Sequence, residues 1–447
     1  MPEGHSVSPH HLLRRTIALV LAAGRGTRLG SLTEQQAKPA LHFGGKFRLI
    51  DFVLSNCINS GIRRIGIITQ YKSQTLVQHL QRGWGFLRGE LNEAVEVLPA
   101  QQRTDEGNWY SGTADAIFQN LDILQDMQTR HDYLLILPGD HVAKMDYSIL
   151  LREHVEHGGG CTVACIEVPL AQARGLGVLS IAQDRRVTAF DEKPEHPTPL
   201  PYQPSMAMAS MGIYVFDASY LYELLATAHA NALSHHDFGL DILPLALADG
   251  RLYAHTFALS NVSRVPRALN EAPYWRTVST VDEYWAANLD LAAVIPKLDI
   301  YDTEWPIWTD QQQLPPAKFV MDLEGRNGVV VNTIVSAGCV VAGSMIKDCV
   351  LFSGVRVESD CDLLEVVLLP RVQVGAGCRL RRAVIDSDCI LPPGLTVGDD
   401  PLQDAVRFER SAAGVVLVTR AALARLDMPK RQDGGAPPAE GSPVEPA

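Results

Sequence analysis

The chain lacks the marks of a metal-sulfur, nucleic-acid or membrane protein. Its eight cysteines, Cys57, Cys161, Cys165, Cys339, Cys349, Cys361, Cys378 and Cys389, show no Cys-x-x-Cys or Cys/His metal spacing. They read as reduced packing residues, not as a zinc site or a disulfide framework. Net charge is −12 and no long basic stripe interrupts it. That excludes a nucleic-acid surface and leaves any anionic ligand to be held by local charge. No apolar run has the length of a membrane span. Arg14-Arg15 before an apolar stretch resembles a twin-arginine export signal, but the stretch is short and passes directly into Gly24-Arg25. A buried strand is the reading, and the cytoplasm the expected compartment. No histidine follows His255, so the C-terminal part of the chain has no imidazole for acid-base work.

What is present is ordinary globular composition, 46% hydrophobic and 20% charged, over 447 residues. A chain of that length exceeds one core, so two domains are expected. From Ile17 onward, short aliphatic runs (Leu19 to Ala23, Ile65 to Thr69, Leu134 to Leu137, Cys161 to Ile166) alternate with helical stretches such as Ile50 to Ile58. Continuous apolar strands of this kind predict a mostly parallel, Rossmann-like sheet covered on both faces. Such sheets bind ligands at the carboxyl ends of their strands.

The strand ends carry the chemistry-bearing residues. Gly24-Arg25-Gly26-Thr27-Arg28, with Lys38-Pro39 a short distance on, can bring backbone N–H groups and cations onto a phosphate chain, although an ordinary strand-turn-helix corner has similar glycines. Pro138-Gly139-Asp140-His141 presents a carboxylate suited either to Mg²⁺ or to capping a helix. Gly112 and Thr113 expose backbone at a helix start, and the Gln101 amide is of the right type to read a base edge. Glu192 and Lys193, in Asp191-Glu192-Lys193-Pro194, suit a sugar hydroxyl and a sugar phosphate, or form an exposed turn.

Residues 1–15 read as a mobile arm and 16–295 as the sheet domain. Residues 296–318 form a connector rich in proline and tryptophan. Beyond it, apolar residues recur every six positions at Ile334, Val340, Ile346 and Phe352, then after phase slips at Val357, Leu363 and Leu369, at Val374 and Leu380, and at Val384 and Ile390. That period predicts a left-handed parallel β-helix over 319–428. The tail, 429–447, is rich in Pro, Gly, Ala and Glu, and reads as disordered.

Taken together, the glycine-arginine stretch, Lys38-Pro39 and the β-helix resemble the bacterial glucose-1-phosphate adenylyltransferases, the ADP-glucose pyrophosphorylases. The match is sharpened by His42-Phe43-Gly44-Gly45-Lys46-Phe47-Arg48, Ser55-Asn56-Cys57-Ile58-Asn59-Ser60-Gly61, Gln78 to Trp84, Ala209 to Phe216 and His236-Asp237-Phe238-Gly239, and spans roughly residues 16 to 425. The resemblance implies an α/β nucleotidyltransferase domain followed by the β-helix, and adenylyl transfer from ATP to glucose 1-phosphate with Mg²⁺. It further implies a homotetramer or a mixed tetramer with a paralogous subunit. By position, Arg28 and Lys38 hold the triphosphate, with Gly24, Gly26 and Thr27 beside it. Gln101, Gly112 and Thr113 lie at the adenine, and Asp140 binds the metal. Tyr110, Gly177, Glu192, Lys193 and Ser210 hold glucose 1-phosphate. His42, Arg48, Arg382, Arg420 and Arg425 match effector positions.

The chain also departs from the family pattern. Where the family has a second metal-binding aspartate after Tyr-Trp-Arg, this chain has Thr277. A hydroxyl is the poorer Mg²⁺ ligand, so metal affinity and turnover should fall unless Asp282 or Glu283 reorients to compensate. Gln35 and Gln36 replace a basic pair of members activated by fructose 1,6-bisphosphate, and Gln125 and Asp126 replace another. Altered or lost bisphosphate activation is the expectation. Two other readings are a weakly catalytic or regulatory subunit and a related sugar-1-phosphate nucleotidyltransferase. An acyltransferase using the β-helix would need a histidine there, and none exists after His255.

Overall fold

The computed structural model describes residues 9–24, 26–70, 72–99, 110–126, 131–263, 272–322 and 324–426. The chain opens with a short helix, α1 (Pro9–Arg14), whose Leu12 is buried in the core. Leu12 thus gives an apolar anchor to the stretch expected to be an arm.

The first domain is built on β1 (Thr16–Ala22), β2 (Arg64–Thr69), β3 (Ala94–Pro99), β4 (Tyr133–Pro138), β5 (His141–Val142), β6 (Cys161–Pro169), β7 (Gly177–Ile181), β8 (Val187–Glu192), β9 (Met206–Asp217), β10 (Leu252–Thr256) and β11 (Arg276–Thr277). The main sheet runs β8-β7-β9-β4-β1-β2-β3, with β6 on β9 and β10 on β6. Strands β4, β1, β2 and β3 are parallel, and β9 reverses direction beside β4. Along β1, Ala18 and Val20 enter one core with Ile65, Ile67 and Leu135, while Ile17 and Leu19 enter the other with Ile68, Leu134 and Ile136. Both faces are covered, so these strands read as continuous apolar runs and not as alternating ones.

Helix α2 (Leu49–Asn59) carries a polar face that the connector covers. The Trp305 indole donates to Asn56 Oδ1 at 2.9 Å, the Trp308 N–H to Ser55 Oγ at 2.8 Å, and the Thr309 hydroxyl to Asp51 Oδ2 at 2.7 Å. Lys144 and Asp302 form a buried ion pair at 3.0 Å at the start of this strap. The connector is thus fastened along its length, and Ser55 and Asn56 serve as its docking track.

The second domain is the left-handed parallel β-helix. Met345 pairs with Asp362, and Asp362 with Arg379, seventeen residues apart each time. Three hexapeptides would need eighteen, so these coils are one residue short, the earlier pairs Val329–Met345 and Val340–Arg356 are sixteen apart, and the six-residue pattern must slip along the domain. Val350, Phe352, Val367, Leu369 and Val384 of this domain share one core with Leu29, Leu32, Phe43, Phe47 and Val142 of the first. All eight cysteines are unpaired and buried. Among the described residues, no helix is long and apolar enough to cross a membrane.

Candidate active site

Where β1 and β4 end, a cavity of about 450 Å³ opens, lined by Gly24, Lys38, Tyr110, Gly112, Thr113, Asp140 and Glu192 among others. At one wall Lys38 Nζ and Asp140 Oδ2 form a partly buried ion pair. Burial alone would raise the Asp140 carboxyl, but the charges of Lys38 and His141 and the Lys38 hydrogen bond outweigh it and hold the pKa below the ordinary value. His141 is pulled down to about 4, first by burial, so its ring is neutral at pH 7. The Trp275 indole donates to His141 Nδ1 at 3.3 Å, which leaves Nε2 as the protonated nitrogen, 4.0 Å from Asp140 Oδ1.

The glycine loop is shaped around Lys38. Gly26 has φ +66°, and a Cβ there would press on Lys38 and Thr33 at 3.1 Å. The Thr33 hydroxyl donates back to the Gly26 carbonyl at 3.0 Å and closes the loop. Thr27 and Arg28 open the following 3₁₀ turn, Thr27–Thr33. Arg28 is exposed, and no hydrogen bond or ion pair holds it among the described residues. Gly26, Thr27 and Arg28 border the cavity wall without lining it, and Gln101 lies outside the described residues.

The helix start at Gly112 and Thr113 is not open as expected. Helix α3 (Thr113–Phe118) has its first amides closed by the His236 carbonyl, which accepts from Ala114 at 2.9 Å. The Thr113 hydroxyl donates to Asp237 Oδ2 at 2.9 Å and accepts from the Phe238 N–H at 3.1 Å. Gly112 has no side chain because a Cβ would collide with the His236 backbone. These residues shape the wall, and the Ala114 and Asp115 amides just behind them are committed to the His236 carbonyl.

On the opposite side, Glu192 and Lys193 end β8. Lys193, at φ +48°, pairs with Glu192 Oε1 at 2.8 Å and is otherwise solvent-exposed. Gly177 lies opposite Glu192 in the β7–β8 ladder, where a Cβ would strike Phe190. The Ser210 hydroxyl accepts from the Gly212 N–H at 3.1 Å at a bulge in β9. Tyr110 Oη accepts from Asn120 Nδ2 at 3.0 Å. Tyr110 and Glu192 line the cavity, whereas Gly177, Lys193 and Ser210 stand behind or beside it. Tyr214, Phe238, Gly239 and Gln70 also line it. The residue readings gave them no role, although Tyr214 and Phe238-Gly239 fall in stretches that carried the resemblance. Tyr214 stacks on Phe238 at 5.4 Å, and Gly239 leaves room for the Glu192 carboxylate.

Thr277 sits directly across from His141 in the β5–β11 ladder, one residue from Asp140. The compensation expected of Asp282 or Glu283 does not occur. Glu283 accepts from the Ser279 N–H at 2.6 Å and the Thr280 N–H at 3.1 Å in a capping box at the start of α4 (Val281–Asp290). Asp282 accepts from the Ser411 hydroxyl and the Ala413 N–H. Among the described residues, no group of three or more His, Cys, Asp or Glu side chains is arranged to hold a metal. Of Asp140, Asp282 and Glu283, only Asp140 lines the cavity, and it fits a hard cation that takes one protein oxygen and completes its shell with water and substrate phosphates.

A second cavity, of about 560 Å³, lies at the domain junction and is lined by His42, Lys46, Arg48, His79 and Arg82 on the first-domain side. Burial, then the charges of Arg48, His79 and Arg371, push His42 well below its ordinary pKa. Arg382, Arg420 and Arg425 do not line this cavity. Arg382 stacks on the Trp285 ring at 4.7 Å and pairs with Glu365 at 3.3 Å.

The nucleotidyl transferase family profile matches residues 17–294, and a GlmU-like C-terminal hexapeptide profile matches 315–418. A glucose-1-phosphate adenylyltransferase of Albidiferax ferrireducens is 56% identical over 418 residues, covering 93% of this chain and 97% of that protein. That of Paraburkholderia phymatum is 55% identical, covering 94% and 98%. The enzyme of Francisella tularensis subsp. mediasiatica is 52% identical over 420 residues, with the same coverage. The chain belongs to the glucose-1-phosphate adenylyltransferase family. As a family member it is a nucleotidyltransferase, and the strand-end cavity is its candidate active site.

Proposed function

We propose that the chain transfers the adenylyl group of ATP to the phosphate of glucose 1-phosphate, giving ADP-glucose and pyrophosphate for glycogen or α-glucan synthesis in the cytoplasm. The observation that carries this reading is the Lys38–Asp140 pair at the wall of a cavity that Gly24, Tyr110 and Glu192 also line. The sugar phosphate is itself the nucleophile, so no covalent enzyme intermediate is needed. The residues act by placing two substrates and neutralising charge.

In this reading Lys38 and Arg28 hold the triphosphate and the departing pyrophosphate. Asp140, kept ionised, holds Mg²⁺, which when bound would offset phosphate charge. Lys193 takes the phosphate of glucose 1-phosphate, and Glu192 accepts from sugar hydroxyls. Tyr110 and Ser210 border that subsite, and Gly177 leaves it open. Gly26 and Thr27 shape the phosphate loop, and Gln101, Gly112 and Thr113 are assigned to the adenine end. Incubating the purified chain with ATP, glucose 1-phosphate and Mg²⁺ and measuring ADP-glucose and pyrophosphate tests the reaction. No product, alone or with other nucleoside triphosphates, would sink it.

Thr277 favours a second reading, a weakly catalytic subunit of a mixed tetramer. Activity that appears only on adding a paralogous subunit would select it over a self-sufficient homotetramer. Val329 and Met345, exposed and in register on adjacent coils, support assembly through the β-helix. Bisphosphate activation is proposed to be altered or lost. Gln35 and Gln36 are neutral, and only His42 and Arg48 of the five effector candidates line the junction cavity.

A further inference from the structure

The C-terminal strands Glu409–Arg410 and Val416–Val418 form an antiparallel hairpin with Glu409 opposite Leu417. This hairpin belongs to the second domain, yet it reaches both the turn that follows the glycine loop and the helix that follows Thr277. Glu409 Oε2 accepts from the Ser31 N–H at 3.2 Å and the Ser31 hydroxyl at 3.0 Å, in the turn that carries Thr27 and Arg28. At its tip, Ser411 and Ala413 bind Asp282, at the head of the helix that follows Thr277. Val415 and Leu417 pack in the same core as Leu29 and Leu32.

The turn is built for this contact. Gly30 breaks the 3₁₀ helix at φ 55°, ψ −139°, a conformation that side chains resist, and a Cβ there would overlap the Glu409 carboxylate. From Gly30 the path is continuous. Thr33 also donates to the Gly30 carbonyl at 3.3 Å and to the Gly26 carbonyl at 3.0 Å, and Gly26 rests on Lys38, the partner of Asp140.

We infer that Glu409 is a positioning residue for the nucleotide. Acting through Ser31 and Gly30, it sets the Thr27–Thr33 turn, with Arg28, against Lys38 and Asp140. The phosphate loop is thereby completed by a carboxylate from the other domain. The inference rests on assigning the strand-end cavity to ATP.

Glu409→Ala and Glu409→Gln test it, read by calorimetric titration with ATP and by steady-state kinetics. Gln keeps an acceptor oxygen of the same reach, so it should bind ATP nearly as the parent chain does. Ala loses two hydrogen bonds and should weaken ATP binding, and raise KM for ATP, by about 10-fold, with KM for glucose 1-phosphate within about twofold. The contact is exposed, so the thermal midpoint should move by no more than about 2 °C. Ser31→Ala added to Glu409→Ala should give little further loss, because the hydroxyl bond it removes is already gone with the Glu409 carboxylate. Unchanged ATP affinity in Glu409→Ala, equal effects on both substrates, or additive losses in the double variant would overturn the inference. Failure of the parent chain to form ADP-glucose would instead fail the proposed reaction, and the ATP titration would still decide the role of Glu409.

Discussion

Thr277 is paired with His141 across a two-stranded ladder, one residue from Asp140, and brings a hydroxyl and no charge to that position. Neither neighbouring acid replaces it, since Asp282 is bound to the C-terminal hairpin and Glu283 to its own helix cap. Beside Thr277, Asp140 is therefore the carboxylate assigned to a divalent cation. If the uncharged Thr277 limits the enzyme, Thr277→Asp will raise turnover at low free Mg²⁺, by roughly 10-fold for one added ligand charge, and shift the Mg²⁺ dependence to lower concentration. Titrating Mg²⁺ against rate checks this, and a loss of rate would mean the site is organised around Thr277.

Asp140→Asn removes the remaining charge and also leaves Lys38 without its carboxylate partner. We expect kcat to fall by roughly 100-fold or more, with the chain still folded by circular dichroism. Activity within tenfold of the parent would move the metal and the chemistry elsewhere.

Lys193 is exposed and, among the described residues, ion-paired only with its neighbour Glu192 at the end of β8, so it can turn to a ligand at little cost. Lys193→Gln exchanges a charge-assisted bond to phosphate for a neutral one, a loss of about 1.5–3 kcal/mol. KM for glucose 1-phosphate should rise by about 10-fold or more, with KM for ATP nearly unchanged. Equal effects on the two substrates would contradict the assignment.

Phe352 is fully buried at the domain junction, its ring centroid 6.0 Å from that of His42 in an edge-to-face arrangement. Because the two domains share this core, Phe352→Ala should cost about 3–5 kcal/mol in urea unfolding and destabilise both domains together. A loss below about 1 kcal/mol, or separate transitions for the two domains, would show that they pack independently.

The apolar periods announced both architectures. Strands β1, β2 and β4 are buried on both faces, so their continuous runs stand out in the sequence, and the six-residue repeat reports the β-helix coil directly. The residue types at the strand ends, Gly24, Lys38, Asp140 and Glu192, also marked where the cavity would lie. Local pattern was a poorer guide where the partner was distant. Thr113 read as an open helix start, because nothing near it in the chain says that His236 and Asp237 close it. Ser55 and Asn56 looked like a helix motif without a task until the connector was laid across them.

By itself, then, the sequence determined the two architectures and the kinds of charge available for phosphate and metal, because both follow from the order of residue types along a strand or loop. Only the tertiary structure decided which charges are free to act. Asp282 and Glu283 are close to Thr277 in the chain, but hydrogen bonds formed on folding commit them elsewhere. Glu409, hundreds of residues from Ser31, becomes its partner because a β-helix packed against the first domain returns the chain to the turn after the glycine loop. Contacts between distant segments carry no local periodicity, and it is those contacts that set the working shape of this site.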